Sequence, residues 1–185
     1  MKKEVAIIYY LADKINNLWQ TMLYKLLFYI DFSYFRDNEN SLTWATYYKL
    51  PYWPVPLSIK SNIDIMIDQV DKVDLEDRDL SNSDIKDYDN YLKVEKTQSW
   101  EYIKWIILHN NKLNITEYLK EDEKRHIDDT LEKICEKISE KYAKKISFSE
   151  VKTNDIVDLS HEEYAYIHAN MYQPLFYGFA DNLLI

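Results

Sequence analysis

Glycine is nearly absent from this sequence, which has one glycine and four prolines among its 185 residues. Glycine is the residue that most readily enters left-handed turns and phosphate-binding loops. Its scarcity therefore disfavours dinucleotide-binding, P-loop and β-sandwich folds, excludes a G-x-S-x-G nucleophile elbow and favours helices. With 46% hydrophobic residues the chain can still build a core, and its length predicts a single domain spanning residues 1–185.

Cysteine is as scarce as glycine. Cys135 is the only one, which excludes an intramolecular disulfide and a cysteine-based zinc site. It lies beside the apolar stripe of a helical pattern, which predicts a small buried thiol rather than a nucleophile. No apolar run approaches the ~20 residues of a membrane span, and the N-terminal stretch lacks the pattern of a secretory signal. We therefore expect a cytoplasmic protein without a membrane partner.

The third feature that the sequence lacks is a cluster of positive charge, since its 32 acidic residues outnumber its 23 lysines and arginines. The net charge is −9, and the sequence contains no basic stripe of the kind that neutralises nucleic-acid phosphates. Direct nucleic-acid binding is therefore not expected. An acidic surface can instead steer a basic partner toward the protein, or it can serve solubility alone. Both interpretations of the charge stay open at this point.

Hydrophobic periodicity predicts a mainly α-helical domain with a small β-hairpin or short sheet. Helices are predicted over 3–15, 17–36, 56–70, 99–107 and 127–142, and two short helices after capping patterns at Ser147 and Ser160. Strands are predicted over 42–50 and 91–95, which we expect to pair with each other. The acidic stretch 71–90 lacks the glycine of a calcium-binding loop and is predicted to be a flexible, solvated loop.

The segment 25–56 is the most informative part of the sequence. An apolar, aromatic helix is followed by a polar linker over 37–41, an aromatic run and a turn containing three prolines. Lys25 and Asp31 are polar residues inside the apolar helix. Either Lys25 reaches the surface along its aliphatic stem and Asp31 pairs locally, or one of them faces a partner. The aromatic residues beyond the linker either form a contact surface or cover the core.

This pattern resembles the signature of the Panacea-domain proteins, the SocA-like antitoxins. The helix supplies the first block, the aromatic run and proline turn the second, and a later S-H-E the third. The matching residues are Lys25, Leu26, Leu27, Phe28 or Tyr29, Asp31, Phe32, Leu42, Tyr47, Tyr48, Pro54, Val55, Pro56, Ser160, His161 and Glu162. One position departs from the family, because Trp53 stands where a glycine usually precedes Pro-Val-Pro. The turn must therefore be built differently here.

The resemblance implies an antitoxin that binds a toxin encoded beside it. Members neutralise the toxin directly or, in the SocA case, deliver it to a protease as an adaptor, and they are common in prophages and mobile elements. The surface implied for partner binding uses Lys25, Tyr29, Asp31, Tyr47, Tyr48, Tyr52, Trp53, Pro54, Val55, Pro56 and His161. Two alternatives stay open: an interaction or regulatory protein of a phage or mobile element without a toxin, and a hydrolase using His161 with a nearby carboxylate.

Catalytic and metal sites are not expected from the sequence. His161 and His168 are seven residues apart, which places them about 10.5 Å apart along a helix rather than at the i, i+4 spacing of two zinc ligands. Ser160 is better explained as a helix cap than as a nucleophile. We therefore predict a protein without cofactor or metal that is not an enzyme.

Overall fold

The computed structural model describes residues 2–50, 53–71, 83–99, 102–152 and 154–156. Its helices are α1 (Lys3–Lys14), α2 (Gln20–Asn38), α3 (Leu57–Asp71), α4 (Ser83–Tyr91) and α5 (Glu121–Tyr142). Its strands are β1 (Leu18–Trp19), β2 (Tyr47–Lys49), β3 (Pro54–Pro56), β4 (Leu92–Ser99) and β5 (Tyr102–His109). The prediction of a mainly α-helical fold with a minor β component is confirmed.

Helix α2 is the centre of the molecule. All twelve residues over 22–33 are buried, because β3, β5 and α5 pack around the helix. A helix that is apolar on all sides is expected to be a core helix, and the prediction that this one is buried on more than one side is confirmed. Arg36 lies in its last turn, where a cation complements the negative end of the helix dipole.

The predicted start of α2 is wrong. Asn17 does not cap the helix; it has a left-handed backbone, with φ 63°, and the chain then passes through β1 before α2 begins at Gln20. The Gln20 side-chain amide donates to the Tyr24 hydroxyl and to Asp64 on α3, each at 3.0 Å. Gln20 therefore joins two helices instead of completing a capping box.

Strands β1, β5 and β4 form an antiparallel sheet in that order. Strands β4 and β5 pair from Leu92 opposite His109 to Ser99 opposite Tyr102. The helix predicted over 99–107 is therefore wrong. The run is rich in aromatic and β-branched residues such as Trp105 and Ile107, and β4 offers it a partner along its whole length.

A separate two-stranded hairpin joins β2 to β3, with Tyr48 opposite Val55. The prediction that the aromatic strand pairs with 91–95 is therefore wrong, and the strand covers only three residues of the predicted 42–50. The proline turn forms the second strand because a two-stranded sheet consists only of edges, where a missing N–H group is tolerated. Pro54 and Pro56 have no backbone N–H, whereas Val55 between them retains one and lies opposite Tyr48.

Helix α5 confirms the clearest helical pattern of the sequence. Its apolar stripe is buried as far as Ile138, whereas Tyr142, predicted to extend it, is half exposed. The first turn carries three acidic residues, which suits the positive end of the helix dipole. Lys3 on α1 forms an ion pair with one of them, Glu123, at 2.7 Å.

The predicted flexible loop over 71–90 is partly replaced by a helix. Residues 72–82 lie outside the described residues, but Ser83–Tyr91 forms α4, because Ile85 and Tyr88 are buried in the core. The Tyr88 hydroxyl donates to Glu4 at 2.8 Å and so joins α4 to α1.

Two further predictions concern the C-terminal part of the chain. The helix expected after Ser147 is a single 3₁₀ turn over Phe148–Glu150, and the helix expected after Ser160 lies outside the described residues. Over the ranges that the structure describes, no helix combines the length and the apolar character needed to cross a membrane.

Candidate protein-interaction site

A fully buried carboxylate, Asp31, fixes the chain that follows α2. Its Oδ1 accepts the backbone N–H groups of Leu42 and Thr43 at 3.1 and 2.8 Å. Its Oδ2 accepts the hydroxyls of Thr43 and Tyr47, the latter at 2.8 Å. Burial raises the pKa of Asp31, while these hydrogen bonds oppose the rise. Asp31 thus pairs locally, as one of the two interpretations of the sequence held.

Residues 39–46 connect α2 to β2. This connection, which Asp31 fixes, has a left-handed backbone at an aromatic residue. Trp44 has φ 60°, and its N–H donates to the Ser41 hydroxyl at 3.0 Å. The next N–H, that of Ala45, donates to the Thr43 hydroxyl at 3.1 Å. A bulky residue with positive φ costs on the order of 1–3 kcal/mol and persists only where its surroundings over-determine it. Here the surroundings are the hydrogen bonds that Asp31 accepts, which we call the Asp31 clamp. The Trp44 indole that this backbone carries is 72% exposed.

Lys25 lies six residues before Asp31 on α2 and is also buried. It does not reach the surface along its stem, since it is only 2% exposed. Its Nζ lies 4.6 Å from the centroid of the Trp53 ring, within the range of a cation–π interaction. Desolvation lowers the pKa of Lys25 to about 8. Trp53, which replaces the glycine of the family pattern, has no left-handed backbone and instead covers this lysine.

Tyr47 closes the cluster from the hairpin. Its ring meets Phe28 and Phe32 edge-on, with centroids 5.8 and 5.4 Å apart, while its hydroxyl donates to Asp31. The structure therefore brings the first two blocks of the sequence signature together in one buried unit, made of α2, the connection over 39–46 and the β2–β3 hairpin.

Most of the residues predicted to bind a partner are interior in this arrangement. Those that are buried are Lys25, Tyr29, Asp31, Tyr47, Pro54, Val55 and Pro56. Tyr48 and Trp53 are half-buried, while Tyr52 and His161 lie outside the described residues. The buried side chains shape the unit from within, and a contact role stays a prediction for Tyr48 and Trp53.

Sequence reasoning did not single out Trp44, which is the most exposed of the large apolar side chains that the structure describes. The signal was indirect. An aspartate within an apolar helix, followed about ten residues later by Ser41 and Thr43, supplies one acceptor and several donors. Nothing in the spacing, however, indicates which residue of the connection is pushed outward.

A second polar cluster joins α2 to α5 and has to be tested as a catalytic pair. Ser33 Oγ lies 3.0 Å from His126 Nε2, but the same hydroxyl donates to the Tyr29 carbonyl at 2.7 Å. The Ser33 hydroxyl also lies 3.3 Å from the Ile30 carbonyl and 3.2 Å from the Thr130 hydroxyl, so its one proton has several partners besides His126. Burial lowers the pKa of His126. The cluster therefore suits a joint between two helices.

Cys135 lines a groove of about 990 Å³ near the C-terminal end of α5. Burial raises the pKa of its thiol to about 11, so the reactive thiolate is scarce at neutral pH. Its prediction as a buried, small apolar side chain is confirmed. Over the part of the chain that the structure describes, no group of three or more His, Cys, Asp or Glu residues is arranged to hold a metal ion.

Comparison with known proteins identifies the family. A family model described as "Antitoxin SocA-like, Panacea domain" matches residues 23–166, which run from within α2 beyond α5 and include Asp31, the connection and the β2–β3 hairpin. No curated protein and no solved structure matches the chain. The match covers most of the sequence and contains all the blocks on which the resemblance rested. The chain therefore belongs to the SocA-like antitoxin family with a Panacea domain.

Proposed function

We propose that this protein is an antitoxin that binds a cognate protein toxin and neutralises it by direct contact. The observation that carries the proposal is the family match over residues 23–166. The partner-binding framework is the unit of α2, the connection over 39–46 and the β2–β3 hairpin. Asp31 and Tyr47 hold that unit together from inside, and its outer surface meets the toxin.

The charge of the chain supports a basic partner. With a net charge of −9, the protein attracts a positively charged toxin and raises the rate of encounter. Association is then expected to slow as salt is added, since surface charges are screened over about 8–10 Å at physiological ionic strength. A rate that does not depend on salt would argue for an uncharged interface.

The test is co-expression with the protein encoded next to this chain. We expect that neighbour to arrest growth alone, and growth to recover, with a stable complex, when both are made. A harmless neighbour, or a toxic one that is neither bound nor suppressed, would overturn the proposal in favour of an interaction protein without a toxin. The half-life of the toxin separates neutralisation by binding, which leaves it unchanged, from delivery to a protease, which shortens it.

Substitutions at the half-buried residues of the hairpin test the framework. Tyr48→Ala and Trp53→Ala are expected to weaken toxin binding while the protein stays folded, as checked by circular dichroism and thermal melting. Tyr142→Phe is the matched control at the far end of α5, since it removes the hydroxyl that donates to Asp155 but keeps a half-exposed aromatic ring away from the hairpin. If both hairpin variants bind the toxin like the wild type, the hairpin is not part of the contact surface.

A further inference from the structure

We propose that Trp44 is the anchor of the toxin interface and that its indole inserts into an apolar pocket on the toxin beside basic side chains. The inference rests on the proposed antitoxin function and names the residue that carries the binding. Tryptophan is among the residue types that most often dominate the binding energy of protein interfaces, typically from a pocket that excludes water.

The first argument is that leaving this large apolar side chain exposed to water, on a left-handed backbone, is energetically unfavourable. Trp44 is 72% exposed, whereas Tyr47 three residues later is 1% exposed. The connection could be built with a small polar residue at this point at lower cost, since a left-handed backbone favours Gly or Asn over a bulky side chain. An exposed, large apolar residue on a strained backbone is a reason to look for a function.

The second argument is that the backbone at Trp44 is held in place before binding. The Trp44 N–H is bonded to Ser41, and the residues on both sides are fixed through Thr43, which Asp31 holds. An anchor on a fixed backbone loses less conformational entropy when a partner covers it than one on a mobile segment, which raises affinity without any added contact. A mobile loop tip would lose this advantage.

The third argument concerns the polar residues at the end of α2 and in the connection that follows it. The exposed residues that flank Trp44 in sequence are Asp37, Asn38, Glu39, Asn40 and Thr46. Two of these are acidic. Asp37 forms an ion pair with Arg36 at 3.1 Å, which offsets its charge, whereas Glu39 follows the C-terminal end of α2, which carries the negative pole of the helix dipole. Basic groups at the rim of the toxin pocket would complement this charge, in agreement with the net charge of −9.

The experiment compares Trp44→Gly with Tyr142→Phe in the full chain, using toxin titration and growth rescue. Glycine accepts a positive φ without strain, so Trp44→Gly is expected to melt at or above the wild-type temperature. Its affinity for the toxin is nevertheless expected to fall at least tenfold, with loss of rescue. A variant that is as stable as the wild type and fails to bind cannot be explained by misfolding.

Two results would count against the inference in different ways. If Trp44→Gly binds and rescues like the wild type, Trp44 is not the anchor, although the antitoxin function stands. If the wild-type protein itself neither binds nor suppresses its neighbour, the proposed function fails and the anchor with it. A complex in which Trp44 becomes protected from acrylamide, measured as the difference in tryptophan quenching between wild type and Trp44→Phe, supports the inference directly.

Discussion

Asp31 binds Thr43 twice, through the backbone N–H at 2.8 Å and through the side-chain hydroxyl. One carboxylate thereby fixes both the path and the orientation of a residue twelve positions later. Since Tyr47 donates to the same oxygen as the Thr43 hydroxyl, the helix, the connection and the hairpin share a single acceptor group. Removing that group should loosen all three.

Asp31→Asn is therefore expected to lower the free energy of unfolding by about 2–4 kcal/mol. The amide keeps one oxygen, but its NH₂ group cannot accept, so at least one of the buried donors loses its partner. Urea unfolding measures the loss. Asp37→Asn is the control, because Asp37 is exposed near the end of the same helix, and the change there should stay within about 0.5 kcal/mol. Equal effects of the two substitutions would contradict the clamp.

Lys25 should make the protein more stable as pH rises above neutrality. Its pKa is about 8 in the folded protein, below the 10.5 of an exposed lysine, so between these values the unfolded chain holds more protons. The free energy of unfolding is then expected to rise by about 1 kcal/mol between pH 8 and pH 9. Lys25→Met should abolish that rise, and unfolding curves at pH 7, 8 and 9 test it. Parallel pH profiles for the two proteins would show that Lys25 does not titrate in this way.

His126 should have the same sign of pH dependence, but on the acid side of neutrality. Burial holds its pKa below the usual 6.5, although the Asp37 and Asp129 carboxylates partly counter this and Lys133 adds to it. As pH falls through 6.5, the unfolded chain gains a proton that the folded protein resists, so stability is lost.

His126→Gln should therefore reduce the loss of stability between pH 7 and pH 5, as measured by thermal melting. The exposed His109 supplies the matched control, His109→Gln. If both substitutions change the acid profile equally, the joint between α2 and α5 is not the source of the effect.

Cys135 should react slowly with alkylating reagents in the folded protein. Burial raises the pKa of its thiol to about 11 from the ordinary value of 9.0, which lowers the thiolate fraction at pH 8 about 100-fold. Iodoacetamide labelling followed by mass spectrometry is expected to be at least that much slower in buffer than in 8 M urea. A similar rate in both conditions would mean that the thiol is accessible and ionised normally.

Helices α2 and α5 could be predicted, apart from their first residues, because the pattern of apolar residues within each helix indicates which of its faces are buried. Helix α5 has a one-sided stripe ending at Ile138, and α2 is apolar on every side, so each could be recognised without its neighbours. The sequence predicts a helix for the run containing Trp105 and Ile107, because a continuous apolar stretch is compatible with both the helical and the strand period. Only the presence of β4 as a partner decides in favour of a strand.

The buried unit could be located from the sequence but not built from it. The composition of 25–56 and its resemblance to the SocA-like antitoxins pointed to the right segment. Asp31, however, bonds to residues eleven to sixteen positions away, and Lys25 on α2 meets Trp53 in the turn between β2 and β3. Such pairings depend on how the connection folds back along α2, which residue spacing alone does not specify. For the same reason the exposure of Trp44 was not foreseen.

The bonds that join α1 to distant helices have a consequence for synthesis. Glu4 cannot accept its hydrogen bond until Tyr88 has been synthesised. Lys3 cannot form its ion pair until Glu123, 120 residues later, has been synthesised. A ribosome adds about 5–20 residues per second, so roughly ten seconds separate the first helix from the last of these partners. During that time the apolar surface of α2 has no cover from α5. A chain cut short before α5 emerges is therefore an apolar fragment open to chaperones and proteases, rather than a smaller working version of the protein.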